Sequence, residues 1–476
     1  DQIMFVSTKL SSPESSIKNH NHQFNNFKDW VNFFQDQQIS TTVKTEQAEN
    51  YLRDLIHQVD VAGLEWLDQP RHVEQHFLEQ HHQTCAIFQS YVERRKQQQG
   101  REYFPTVSHA FEFLAKVAPV KLVDGSWLYS TVQNWNRPET KDLIYIYLEE
   151  LGMGHTRANH VTMYQDLLNH YELNSYAEQL DASYYEQAAV QLALAYAPPE
   201  YLPLVIGFNL GYEQLPLHLL VTNYELSELG IDPHYFNVHI TIDNAHNGHA
   251  QKSLQAYLDQ YALAENPAQY LDLIKKGYVL NDIGKSSTQI IKQLDTEKLA
   301  LKVFQNKALI GQYIHNQKCQ FSGKTINEWL SDPAQIADFL KVMIEKGWIV
   351  RDAPVEQSRF WKMIDDPDGK MFGVFNASEK QIIKDWIQGE TFAARLSSRS
   401  RSQVHNQMEP VLNRIDQQQI HQLKSRLNRC AAAEQKIDLL IPYVAPHMHH
   451  QEVGLWATRQ LSQLLFPFQT QAMTYS

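Results

Sequence analysis

The chain has 476 residues, 43% hydrophobic and 11% aromatic, enough to bury at least one large core and to divide into two or three units. A formal net charge of -12 excludes general attraction to phosphate backbones or anionic lipid, so neither nucleic acid nor a membrane surface is an expected partner. Cys85, Cys319 and Cys430 lie far apart without CxxC spacing, which excludes a disulfide framework or thiolate zinc site and fits a reducing compartment. No run approaches the roughly 18 to 20 apolar residues that span a bilayer. The first residues lack a basic stretch followed by an apolar one, so a soluble, cytoplasmic protein is expected.

Glycine and proline number only 18 each, while Gln, Glu, Leu and Ala abound, and this predicts a mainly α fold. Residues 1 to 44, rich in Asn, Gln, Ser and Lys, read as a loose arm with one short helix around Phe27 to Phe34. Helical periodicity then predicts helices over Thr45–Val61, His72–Gln98, Val107–Trp135 and Glu139–Leu173. Another runs over Tyr184–Leu229, broken near Pro198-Pro199, and a last one over Pro233–Ala264 with Asp232 as its cap. Arg94-Arg95-Lys96, with Arg101 nearby, suits a solvated helix terminus. Six long helices in succession make residues 45–265 a bundle.

Residues 266–476 read as a C-terminal accessory domain, α or α+β, of unknown role. Helices are expected at Thr288–Gln305, Thr325–Trp329, Pro333–Lys346, Ser378–Gln388 and Asp416–Leu439. Trp348-Ile349-Val350 and the end of the 365–375 loop read as extended. No phosphate-binding loop or nucleophile elbow occurs in this part. His447, His449 and His450, near Glu452, are expected in a solvated loop rather than in a separate metal site.

The residues that carry chemistry lie in the bundle. His239, Asp243 and His246 sit at offsets of zero, four and seven, within about 60° on an ideal helix, so two imidazoles and a carboxylate share one face. Such a face suits a redox-active first-row metal and leaves coordination positions free. His249, at offset ten, is expected to point away.

Further donors are at hand upstream. Glu149 and Glu150 precede His160, and ideal geometry favours Glu149, although Gly152-x-Gly154 can rotate the register toward Glu150. Glu213 lies in an apolar stretch where a bare carboxylate is costly, and either a metal or a partner such as Arg157 would offset it. Asp124 is likewise acidic among apolar neighbours, although Asp-Gly also reads as a turn.

The segment EELGMGHTRANH, Glu149 to His160, together with GIDPHYFNVHITIDNAHNGHA, Gly230 to Ala250, resembles the haem-oxygenase-like diiron oxidases, also described as iron-containing redox enzymes. The resemblance covers roughly residues 70 to 265, and H-x3-D-x2-H is its most specific motif. It implies a haem-oxygenase-like helical bundle in which Glu150 (or Glu149), His160, Glu213, His239, Asp243 and His246 hold two Fe(II) per chain, or a Mn/Fe pair. Asp124 stands where the family usually has Glu.

It further implies that O2 is a co-substrate used to oxidise a small amine- or carboxylate-containing metabolite in an apolar pocket. The outcome would be N-oxygenation, oxidative C–C cleavage or desaturation. Arg157 is a candidate substrate contact, and Tyr147, Tyr164 and Tyr212 are candidates for orienting ligands. An external electron donor and a homodimer are candidate partners. Two rival readings are a metal-free haem-oxygenase-like or thiaminase-like binder and a noncatalytic scaffold.

Overall fold

The computed structural model describes residues 24, 26–242, 248–311, 320–390, 392 and 411–468. It is almost entirely α-helical. Among the described residues the only strand pairing is Gln320–Phe321 against Lys324–Thr325, antiparallel. No described helix is long and apolar enough to cross a membrane.

The longer helices of the first half are α1 (Phe27–Gln35), α2 (Thr41–Ile56), α3 (Pro70–Lys96), α4 (Val107–Lys121), α5 (Lys141–Glu150), α6 (His160–His170), α7 (Glu186–Ala195), α8 (Leu202–Tyr212), α9 (Leu217–Glu228), α10 (His234–Ile242), α11 (His249–Leu263) and α12 (Pro267–Val279). Later come α13 (Thr296–Gly311), α14 (Ile336–Glu345), α15 (Ala377–Gln388), α16 (Arg414–Asn428), α17 (Ala433–Leu440) and α18 (Glu452–Leu465). The helices expected over residues 107–229 are broken, and those breaks fall where the sequence places Gly or Pro. Asp124-Gly125 follows α4, Gly152 to Gly154 separates α5 from α6, Pro198-Pro199 separates α7 from α8, and Pro216 precedes α9. At Gly152 the backbone is left-handed, with φ +63°, and a β-carbon would stand 2.3 Å from the Ala158 carbonyl carbon. Only glycine fits both demands.

Two apolar cores form. The first gathers side chains of α1, α2, α5, α7, α8, α11 and α12, together with Leu423, Ile437, Leu440 and Leu461 of the last helices. The second gathers α4, α6, α9 and α10 with residues 290–387. The stretch expected to be a loose arm therefore contributes a docked helix, α1, whose Trp30, Phe33 and Phe34 are buried. Likewise the expected boundary at residue 265 does not follow the packing, because α12 and α16 to α18 belong to the first core and residues 290–387 share the second. Trp348-Ile349-Val350 and residues 366–375 form turns and bends rather than the expected extended segments, and among the described residues no strand pairs with them.

Helix α8, LPLVIGFNLGY, is apolar on every side and runs through the first core, as its composition requires. Its Asn209 accepts from Trp127 Nε1 at 2.9 Å and donates to Ser253 Oγ at 2.8 Å, so a buried amide ties α8 to α11 and to the segment after α4. α8 and α12 cross at very short range. A β-carbon on Gly207 would stand 2.1 Å from the Ile274 carbonyl oxygen, and one on Gly277 would stand 2.1 Å from the Leu204 carbonyl oxygen. Gly207→Ala is expected to separate these helices and lower stability by roughly 1–3 kcal/mol. Urea denaturation measures this, and a variant as stable as the parent would contradict the close crossing.

Candidate metal centre

Six helix ends and turns converge where the two cores meet. Asp124 sits on the turn after α4, Glu150 ends α5, His160 begins α6, Glu213 caps the C-terminus of α8, His239 lies on the last turn of α10 and His249 begins α11. All six are buried. Asp124, His160 and His239 come with elements of the second core, whereas Glu213 and His249 come with the first, and Glu150 faces both sets.

In the first set, Asp124, Glu150, His160 and His239 present ligand atoms that all lie within 4.8 Å of one another. His239 Nε2 is 2.8 Å from Asp124 Oδ2, and His160 Nδ1 is 3.3 Å from the same oxygen and 2.5 Å from Glu150 Oε2. Glu150, Glu213 and His249 form the second set. His249 Nδ1 is 3.2 Å from Glu150 Oε1 and 3.3 Å from Glu213 Oε2, and its Nε2 is 2.8 Å from Glu149 Oε2. The two oxygens of Glu150 thus serve different imidazoles.

The surrounding donors orient these groups. His239 Nδ1–H donates to the Tyr235 carbonyl at 2.8 Å, which leaves Nε2 as the nitrogen aimed into the cluster. Asp124 accepts the Tyr212 hydroxyl on Oδ1 at 2.8 Å and the Tyr235 hydroxyl on Oδ2 at 2.9 Å. Glu150 Oε2, His160 Nδ1 and His249 Nδ1 are buried and meet at close range without the alignment of a hydrogen bond, and Glu213 Oε1 is buried without a hydrogen-bond partner. Buried polar atoms rarely go unpaired, and lone pairs converging on one space are the donor pattern of a cation site.

Charge coupling within the cluster is strong. Burial alone would raise Asp124 and Glu150, yet His239 and His160 hold Asp124 well below the usual carboxylate range, and His160 brings Glu150 to about 2. Burial alone would lower His160 and His249, yet Glu150 and Asp124 raise His160 to about 10, and Glu213, Glu149 and Glu150 hold His249 well above its usual value.

Several sequence expectations change here. Glu150, not Glu149, points into the cluster, because the break after α5 ends the ideal register on which Glu149 was favoured. Glu149 instead contacts the far nitrogen of His249. His249 was expected to point away, but Gly248 before it is non-helical, at φ +76°, and a new helix starts at His249, so an offset of ten along one helix does not apply. The Asn247-Gly248 dipeptide, a turn signal, marks that break. Asp243 and His246 lie outside the described residues. The neighbour of Glu213 is His249, whereas Arg157 is exposed on the loop between α5 and α6.

Of the tyrosines expected to orient ligands, Tyr212 does so, while Tyr147 and Tyr164 donate to the carbonyls of Val444 and Leu114. Tyr235 was not singled out, although its place four residues before His239 puts both on one face. The His447–His450 stretch is not a solvated loop. His449 is 2% exposed and packs beside α6.

Residues 111–277 match the family model described as iron-containing redox enzyme. That segment contains every member of both ligand sets and runs from α4 into α12, so the resemblance read from the two motifs holds, as does the haem-oxygenase-like helical fold it implied. No curated protein and no solved structure matches the chain. The plain result is a segment similar to iron-containing redox enzymes that carries a buried, metal-capable Asp/Glu/His cluster.

A cavity of about 910 Å³ lies elsewhere, among residues 304–375, and none of the cluster residues line it. A smaller cleft of about 270 Å³ is lined by Gln80, His81, Gln83, Thr84 and Ile87 of α3 with Gln214, Leu215 and Ala250. Gln214 and Ala250 follow Glu213 and His249 in the chain, so this cleft has neighbours of two cluster residues in its wall.

In chelator-treated protein His160 is expected to stay protonated at neutral pH. Because its value is raised from 6.5 to about 10, its ion-pair stabilisation is complete below pH 6.5 and is lost as pH climbs toward about 10. Glu150, lowered from 4.5 to about 2, contributes above pH 4.5 and loses that contribution as pH falls toward about 2. The two overlap fully between about pH 4.5 and 6.5. Imidazole NMR titration reads this, and a His160 that titrates near its ordinary value would contradict the pairing.

Proposed function

We propose that this chain is a non-haem diiron oxidase that uses O2 to oxidise a small polar metabolite. The observation that carries the reading is Glu150, whose two carboxylate oxygens face imidazoles of two separate ligand sets, His160 and His249. A carboxylate shared in this way is what a pair of adjacent metal ions requires. Four acids gather at this point, Asp124, Glu149, Glu150 and Glu213, and two divalent cations would neutralise them.

On this reading Asp124, Glu150, His160 and His239 hold one ion, while Glu150, Glu213 and His249 hold the other. Asp243 and His246 remain candidates as ligands through the family motif. When bound, the metals supply a redox centre with open positions for oxygen. The remaining work belongs to the chain. Tyr235 fixes the His239 tautomer through its carbonyl and, with Tyr212, anchors the Asp124 carboxylate through its hydroxyl, so neither ligand can rotate away. Glu149 accepts from His249 Nε2 and leaves Nδ1 as the ligating nitrogen.

Burial of all six groups keeps bulk water from the reacting atoms. The cleft walled in part by Gln214 and Ala250, the chain neighbours of Glu213 and His249, presents neutral amides, a hydroxyl and an imidazole, which suits a small hydrogen-bonding substrate such as an amine or a carboxylate. Electrons beyond those the substrate provides would come from an external donor.

Anaerobic titration of metal-free protein is expected to take up about two Fe(II) per chain. Glu150→Ala should lose both, whereas His239→Ala and His249→Ala should each keep about one. Oxygen exposure in a stopped-flow spectrometer should then give a transient visible absorption with the parent and none with Glu150→Ala. No iron uptake by the parent would end the diiron reading.

A further inference from the structure

The C-terminal segment after residue 440 lies beyond the family segment, yet it reaches back to both flanks of the break between Glu150 and His160. Tyr147, one turn before Glu150 on α5, donates its hydroxyl to the Val444 carbonyl. Arg459 Nη1 donates to the Gly154 carbonyl at 2.6 Å. Asn159 Nδ2 meets His449 Nδ1 at 3.0 Å, a contact between residues 290 apart in sequence, and both side chains are buried.

Asn159 is the junction. Its Oδ1 accepts from the Thr162 amide at 3.1 Å and the Thr162 hydroxyl at 3.3 Å, which caps the helix that begins at His160. Its Nδ2 also donates to the Leu151 carbonyl, 3.4 Å away, at the end of the helix that carries Glu150. One side-chain amide therefore ties the end of one ligand helix to the start of the next. The amide can do so only in one of its two orientations, and an acceptor at His449 Nδ1 selects that orientation.

We infer that His449 is a positioning residue for the metal centre, acting through Asn159 to hold Glu150 and His160 in register. The inference rests on the metal reading proposed above. It also gives the C-terminal region a definite task, because a ligand pair joined by a left-handed Gly-Met-Gly turn has no helical backbone to set its spacing. Second-sphere hydrogen bonds of this kind typically alter metal affinity by about 10–100-fold.

The test uses the full chain with His449→Leu, His449→Gln and Asn159→Asp, the last of which keeps the cap acceptor but drops both donations. Two readouts are taken: hydrogen–deuterium exchange over residues 150–163 after chelation, and anaerobic Co(II) titration followed by its visible spectrum. His449→Leu and Asn159→Asp are expected to speed exchange in that segment and weaken Co(II) binding by about 10-fold or more, while His449→Gln, which restores an acceptor, recovers most of both. Parent-like exchange and affinity in Asn159→Asp overturns the inference, and so does a His449→Gln variant as impaired as His449→Leu. Should His449→Leu fail to fold, the other two variants still decide. If the parent takes up no Co(II), the metal reading fails, and exchange alone still reports whether His449 sets the register.

Discussion

Removing a carboxylate from water costs several kcal/mol unless a cation or a full set of donors faces it. This chain buries Asp124, Glu150 and Glu213 in one space. None of the three sits inside a regular helix run. They occupy a turn, a helix end and a helix cap, where backbone geometry can be bent to bring charges together that straight helices would keep apart. The cluster lies where the two apolar cores abut, with Glu150 common to both ligand sets. Rigid packing on either side thus fixes two half-sites, and the interactions across Glu150 must compensate for the desolvation of the seam.

That arrangement explains what the sequence disclosed and what it hid. Acids in apolar surroundings, Asp124 and Glu213, stood out because nothing but an interacting partner makes their burial tolerable. His160 and His239 stood out through motif spacing. The choice between Glu149 and Glu150 stayed open at the Gly152-x-Gly154 break, and the place of His249 did not follow because it was reasoned along an unbroken helix. Gly152 to Gly154 resets the register in one case, and the non-helical Gly248 resets it in the other. Breakers were visible in both places, but a breaker says that direction changes without saying to where. Tertiary contacts such as Asn159 with Leu151 and His449 supply that missing angle, and they join residues too distant in sequence for any periodicity to report.

The same reasoning applies to the parts that read as peripheral. Residues 27–35 carry Trp30, Phe33 and Phe34, an aromatic set that a polar composition averages away but that provides a large apolar area to bury. The His447–His450 stretch looked hydrophilic by residue type, yet an imidazole that stays neutral buries readily, and burial does push His449 well below its ordinary value. Composition over a window is a poor guide wherever a few large or switchable side chains decide the packing.

The short side chain of Asp124 suits the backbone that carries it. The turn through Gly125 runs so close to α5 that a β-carbon on Gly125 would stand 2.8 Å from Glu150 Cβ. The main chain at residue 124 therefore lies at the edge of the cluster rather than on the axis of a neighbouring helix. From there the shorter acid reaches His239 and His160 at 2.8 and 3.3 Å while still accepting the hydroxyls of Tyr212 and Tyr235. Asp124, Gly125, Tyr212 and Tyr235 thus form one unit, in which a close turn shortens the reach that is needed and two phenols fix where it ends.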